Sequence, residues 1–73
     1  MMTNILDLMF LVNKHETIPD TIKLVELDKY FKWNELKQDY QLLGDPNEYL
    51  LHYLAGDFDI PTILNMEIEI MEY

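Results

Sequence analysis

Two periods of hydrophobic and polar positions alternate along the chain. Near the start, Ile5, Leu8, Met9 and Val12 repeat at i, i+3, i+4 and i+7, the stripe of an amphipathic helix. Leu6 and Phe10 widen it, while Asn4, Asp7 and Lys14 mark the solvent side with Leu11 exposed among them. With Thr3 or Asn4 as cap, the pattern predicts a helix over residues 4–14. The breadth of the stripe fits a central helix packed under a sheet, or one that also offers a dimer or partner face. Pro19 then disfavours helix at Ile18.

From Thr21 the period falls to two. Ile22, Leu24 and Glu26 lie on one side and Lys23, Val25 and Leu27 on the other, which predicts a strand over 21–27. Lys29–Trp33 predicts a second strand, with Phe31 and Trp33 facing opposite to Tyr30, Lys32 and Asn34. Leu27-Asp28 is the turn between them. Asp39–Leu43 reads as a third strand after a turn at 34–37. A helix through 33–43 competes, since Glu35, Leu36, Lys37 and Gln38 all favour helix.

Gly44-Asp45-Pro46 is the clearest break. Asp45 reads as an N-cap, Pro46 as N1 and Glu48 as N3 of a helix that runs through Ala55 and ends at Gly56 as C′. Leu50, Leu51 and Leu54 are its expected inward face, flanked by Tyr49 and Tyr53. An acidic loop follows over 57–61, with a single helical turn over 61–65. The last strand, 66–73, sets Ile68 and Ile70 on one face and Glu67 and Glu69 on the other. The order α-β-β-(β)-α-β predicts an α+β fold. It is one small domain over residues 1–73, a three- to four-stranded antiparallel sheet packed with two helices.

Charge changes the picture. The chain has 73 residues and a net charge of −9. Residues 1–37 hold six acids and all five lysines, whereas residues 38–73 hold eight acids and no base, a net of −8. Such asymmetry is a partner signal. The chain also lacks Cys, Ser and Arg. That excludes a disulfide framework, a thiolate metal site and the two commonest catalytic nucleophiles. Direct nucleic-acid binding, which needs a basic footprint, is not expected either. The apolar run Ile5–Val12 is too short to cross a membrane and shows no leader pattern, so a cytoplasmic protein is expected.

The candidate chemistry is sparse. Glu48 and His52, four apart on the expected second helix, share a face, but zinc needs three or four ligands, so an exposed surface pair is the expectation. Asp57 and Asp59 flank Phe58 without the ligand spacing of a calcium loop, and one of them is expected to cap the next turn. A chain of this size is expected to offer no deep pocket of a few hundred cubic ångström, which disfavours an enzyme. Neither metal nor cofactor is expected. Tyr40, Tyr49, Tyr53 and Tyr73 lie among acids, the wrong charge for a nucleic-acid platform and the right one for anchors on a basic protein. Glu67 and Glu69 stand roughly 7 Å apart on one strand face. Asp45, Glu48, Asp57 and Asp59 extend that row if the second helix lies beside the last strand. Spaced carboxylates of this kind can imitate the phosphates of a nucleic acid.

Three strings carry a resemblance: Asn4-Ile5-Leu6-Asp7, Pro19-Asp20-Thr21-Ile22-Lys23-Leu24, and Ile63-Leu64-Asn65-Met66-Glu67-Ile68-Glu69-Ile70. Together they resemble small acidic accessory proteins of phages and prophages of Gram-positive bacteria. Members of that class with known roles resemble host-takeover inhibitors, among them anti-CRISPR proteins and uracil-DNA glycosylase inhibitors. The resemblance implies an inhibitor of a basic, nucleic-acid-handling host protein, with a Cas nuclease favoured, and no catalytic residue carries over. The expected contact residues are Asp45, Glu48, Tyr49, Tyr53, Asp57, Asp59, Glu67, Glu69 and Glu72. The alternative is a non-enzymatic adaptor that forms a homodimer through the N-terminal helix.

Overall fold

The computed structural model describes residues 1–71, so Glu72 and Tyr73 lie outside the described residues. The fold is α+β, as the sequence predicts, but larger in elements. It comprises β1 (Met2–Asn4), α1 (Ile5–Lys14), β2 (Thr21–Leu24), β3 (Lys29–Asn34), β4 (Asp39–Leu42), β5 (Asp45–Tyr49), α2 (Leu50–Ala55), α3 (Ile60–Asn65) and β6 (Glu67–Met71). The six strands form one antiparallel sheet in the order β1-β6-β2-β3-β4-β5. Strands β2 to β5 are a meander. The chain then crosses back through α2 and α3 so that β6 enters between β1 and β2.

Local chemistry explains the ends of α1. The Asn4 side chain accepts a hydrogen bond from the Asp7 backbone N–H (2.9 Å), so of the two caps the sequence offers, Thr3 and Asn4, it is Asn4 that serves. At the other end, the N–H groups of His15 and Glu16 donate to the carbonyls of Val12 and Leu11, a Schellman ending. His15 adopts φ 55° there, a conformation that usually belongs to glycine.

The competition over residues 33–43 resolves as two strands. The Asn34 side chain accepts from the Lys37 backbone N–H (3.1 Å), which closes a turn over 35–38 ending in left-handed Gln38. The β2–β3 turn has the same form over 25–28, with Asp28 at φ 53°. The first strand therefore stops at Leu24 rather than Leu27.

Residues 45–49 correct the capping expectation. They form β5, not a helical first turn. Leu43-Gly44 turns the chain, with Gly44 at φ 98°, so that Asp45 pairs with Leu42. Tyr49 pairs with Gln41, and the register shift leaves Pro46, Asn47 and Glu48 bulging between the two pairs. Pro46 fits because β5 is an edge strand with no outer neighbour to receive an N–H. α2 starts only at Leu50, without a side-chain cap, and Gly56 ends it in right-handed conformation.

Paired residues on neighbouring strands share a face of the sheet. One face carries Ile22, Leu24, Phe31, Tyr40 and Ile68, all buried, and the helices cover it with Ile5, Leu8, Leu50, Leu54 and Ile63. Leu51, expected inward, is exposed, and so are Leu6 and Phe10. Tyr40 is the largest fully buried side chain. Its ring meets Trp33 edge-on at 5.1 Å, and its hydroxyl donates to the Pro19 carbonyl (2.6 Å). The opposite face carries Lys23, Tyr30, Lys32, Gln41 and Glu69, with no helix over it.

Candidate partner-binding surface

The acidic residues fall into two groups set by sheet order. Asp45 and Glu48 lie on β5, at one edge. Asp57 and Asp59 lie in the loop between α2 and α3, and α2 packs against β4, β5 and α3. β5, α2, α3 and their loop, residues 45–65, thus carry four acids and no lysine. Glu67 and Glu69 lie on β6, separated from β5 by β2, β3 and β4. Four strand spacings amount to roughly 19 Å. The second helix does not lie beside the last strand, so the single extended carboxylate row does not form. Glu72 is outside the described residues.

The β6 carboxylates are also less isolated than the sequence suggests. Lys23 stands in register opposite Glu69 on the neighbouring strand. Its ammonium is held above the usual lysine range chiefly by the bond to Asp28 (3.3 Å), with Tyr30 and Glu69 adding to the effect. The open face of the sheet therefore alternates in sign across β6 and β2. Glu67, opposite Asn4, is exposed without a cation across the ladder.

Within the first group the roles differ. Asp45 is exposed, and its carboxylate accepts from the Asn47 N–H (3.2 Å). Glu48 is half-buried and approaches His52 Nδ1 at 3.6 Å, with the imidazole largely in water. This is the expected surface pair, although Glu48 reaches it from the strand rather than from the helix. Asp57 is exposed. Asp59 caps α3, where its carboxylate accepts from the Thr62 N–H (2.9 Å). Hydrogen bonds from the Thr62 side chain and backbone hold that carboxyl below the usual range. Tyr53 sets its ring edge-on to Phe31 at 5.8 Å, so part of it completes the core, and Tyr49 is half-buried at the end of β5.

One feature escaped the sequence entirely. An open apolar groove of about 400 Å³ runs between the end of α1 and the sheet. It is lined by Met1, Leu11, Pro19, Ile70 and Met71, with Thr17 and Asp20 as the polar members. The groove is open at the surface, unlike the deep pocket that a chain of this length is not expected to form. Leu11, expected in solvent, is half-buried there. No single string encodes the groove, because its walls meet only when β1, β6 and the α1–β2 loop assemble. Among the described residues that line it, Asp20 carries the carboxylate.

Among the described residues, no group of three or more His, Asp or Glu side chains is placed to hold a metal ion. Among the same residues, no helix is long and apolar enough to cross a membrane. Comparison with known proteins finds no match: no family model, no curated protein and no solved structure is similar to the chain.

Proposed function

We propose that the chain is a phage-type acidic inhibitor that binds a basic, nucleic-acid-handling host protein, with a Cas nuclease as the favoured target. The observation that carries this reading is the segregation of charge. Residues 38–73 hold a net of −8, and the β5–α2–α3 side contains four acids and no lysine. Such a surface steers toward a positive groove and repels nucleic acid itself. Asp45, Glu48 and Asp57 are the principal contacts, with Tyr49 as the anchor and Tyr53 beside it. Asp59 contributes charge while holding α3 in place.

Occlusion is favoured over imitation of a phosphate row. Lys23 stands beside Glu69, and β5, with Asp45 and Glu48, lies roughly 19 Å across the sheet from β6. The inhibitor therefore acts by covering a basic surface with one acidic edge. Capture from a lysate of a Gram-positive host, read by mass spectrometry, tests this. The expected catch is a basic nuclease or other nucleic-acid-handling protein, and it is lost when Asp45→Asn, Glu48→Gln, Asp57→Asn and Asp59→Asn are combined. A catch that survives those four changes overturns the assignment of the surface.

A further inference from the structure

The outer side of α1 bears an apolar patch bracketed by opposite charges. Phe10 leaves 54% of its surface in water and Leu6 40%, whereas Ile5 and Leu8 on the inner side are fully buried. Asp7 and Lys14 lie seven residues apart, two turns or about 10.5 Å along the helix, on the same outward line, and Phe10 sits between them. Both are exposed, and the ion pairs among the described residues, Lys23–Asp28 and Glu48–His52, do not involve either one. The Asp7 carboxylate accepts from the Thr3 hydroxyl (3.1 Å) and has no cation beside it.

We infer that α1 docks, antiparallel, on α1 of a second copy of this chain, about a two-fold axis beside Phe10. In that register Asp7 of each copy faces Lys14 of the other, and the two Phe10 rings meet at the axis. A parallel pairing sets Asp7 against Asp7 and Lys14 against Lys14, so the charges select the antiparallel one. Isologous contact of this kind is self-completing: each copy supplies both halves of the interface. Net charge points to the same face. The acidic half repels a second copy wherever it is presented, whereas residues 1–14 hold one acid and one lysine. α1 packs against β1, at the opposite edge of the sheet from β5, and against α3, so the dimer carries its two β5 edges, with Asp45 and Glu48, outward. Both remain free to meet partners whether or not the proposed basic target is the right one. A ten-residue helix covers less than the roughly 800 Å² per partner of a standard interface, so the dimer is a weak one.

Sedimentation of the full chain from about 10 µM to about 1 mM tests this, a range that spans weak association. The mass is expected to rise toward that of a dimer, and Phe10→Lys is expected to hold it at the monomer. Asp7→Lys and Lys14→Asp each turn two attractions into repulsions and are expected to weaken the dimer about tenfold. Mixed in equal amounts, those two variants restore attraction at both contacts and are expected to recover wild-type association within about threefold. These side chains are exposed, so the variants keep the fold, which Trp33 fluorescence verifies. The milder Asp7→Asn and Lys14→Gln serve as a second pair. A chain that stays monomeric at about 1 mM, charge variants that associate like wild type, or a mixture no better than its parts overturns the proposal.

Discussion

Replacing Tyr40 with Phe removes one oxygen from the centre of the fold and nothing else. The ring stays packed edge-on to Trp33 at 5.1 Å, so the change isolates the bond from the hydroxyl to the Pro19 carbonyl (2.6 Å). A protein hydrogen bond contributes about 0.5–1.5 kcal/mol net, and a carbonyl left without its donor in a partly dry site adds to the loss. The expected destabilisation is about 1–2 kcal/mol. A domain of this length has roughly 4–11 kcal/mol in all. At roughly 6 °C per kcal/mol for a chain this short, Tm falls by about 6–12 °C. Urea unfolding followed by the fluorescence of Trp33 measures the change. The midpoint should fall with an unchanged slope, because no extra surface is exposed. Hydrogen exchange should quicken around residues 17–20, the loop the bond ties to β4.

Alkali provides a second arm. Burial, with the charge of Asp20 adding to it, pushes the Tyr40 hydroxyl well above the usual tyrosine range. The unfolded chain therefore loses this proton first, near pH 10. The stabilisation is present in full below that pH and is lost as pH rises toward the folded value, at up to about 1.4 kcal/mol per pH unit. The Phe variant lacks that dependence, so the gap between the two proteins narrows above about pH 10. A variant within about 0.3 kcal/mol of wild type at neutral pH, or a gap constant through pH 11, refutes the role given to this bond.

Other consequences follow from single residues. His15→Gly relieves a left-handed conformation worth roughly 1–2 kcal/mol and adds about 0.5–1 kcal/mol of unfolded-state freedom, so thermal melts should show a net gain of about 0.5–1 kcal/mol. Asp59→Ala should lower Tm by several degrees at neutral pH, whereas Asp59→Asn, which still caps, should change it little. Because the Asp59 carboxyl is held below its usual range, the charge-dependent part of that deficit should begin to shrink as pH falls below about 4 and be gone only below the lower folded value. Leu54→Ala, at a fully buried position beneath the sheet, should cost about 2–5 kcal/mol in denaturant titration and leave little of the native state.

Legibility in the sequence followed the range of the forces involved. The core of the α1 stripe, Ile5 and Leu8, and a cap at Thr3 or Asn4 are local and legible, whereas the exposure of Leu6 and Phe10 is not. The faces of β2, β3 and β6 are local alternations, and Ile22, Phe31 and Ile68 sit where the period of two puts them. The Asn34 side chain decides strand against helix over 33–43, since its bond to Lys37 closes a turn that helix propensity alone does not foresee. Asp45-Pro46 misled because a capping signature is also what an irregular edge strand displays: Asp in a turn, then a proline that needs no hydrogen-bond partner. Only the pairing to Leu42 and Gln41 separates the two, and that pairing is tertiary. β1 was invisible for the same reason, being three residues that become a strand only against β6. Charge segregation was legible from counting. Its division into two groups was not, because it depends on β6 inserting beside β2, far from β5.

The dependence of a complex on salt tests the partner-binding surface most directly. The equilibrium constant between the chain and the basic protein it captures should be measured from about 50 mM to about 500 mM salt, a span over which the screening length shortens several-fold. If the β5–α2–α3 edge steers and holds the complex, affinity falls steeply across that range. The combined Asp45→Asn, Glu48→Gln, Asp57→Asn and Asp59→Asn variant then binds weakly with a flattened dependence. Affinity that is unchanged with salt, or a neutralised variant that binds with the wild-type slope, contradicts the acidic edge as the proposed contact surface.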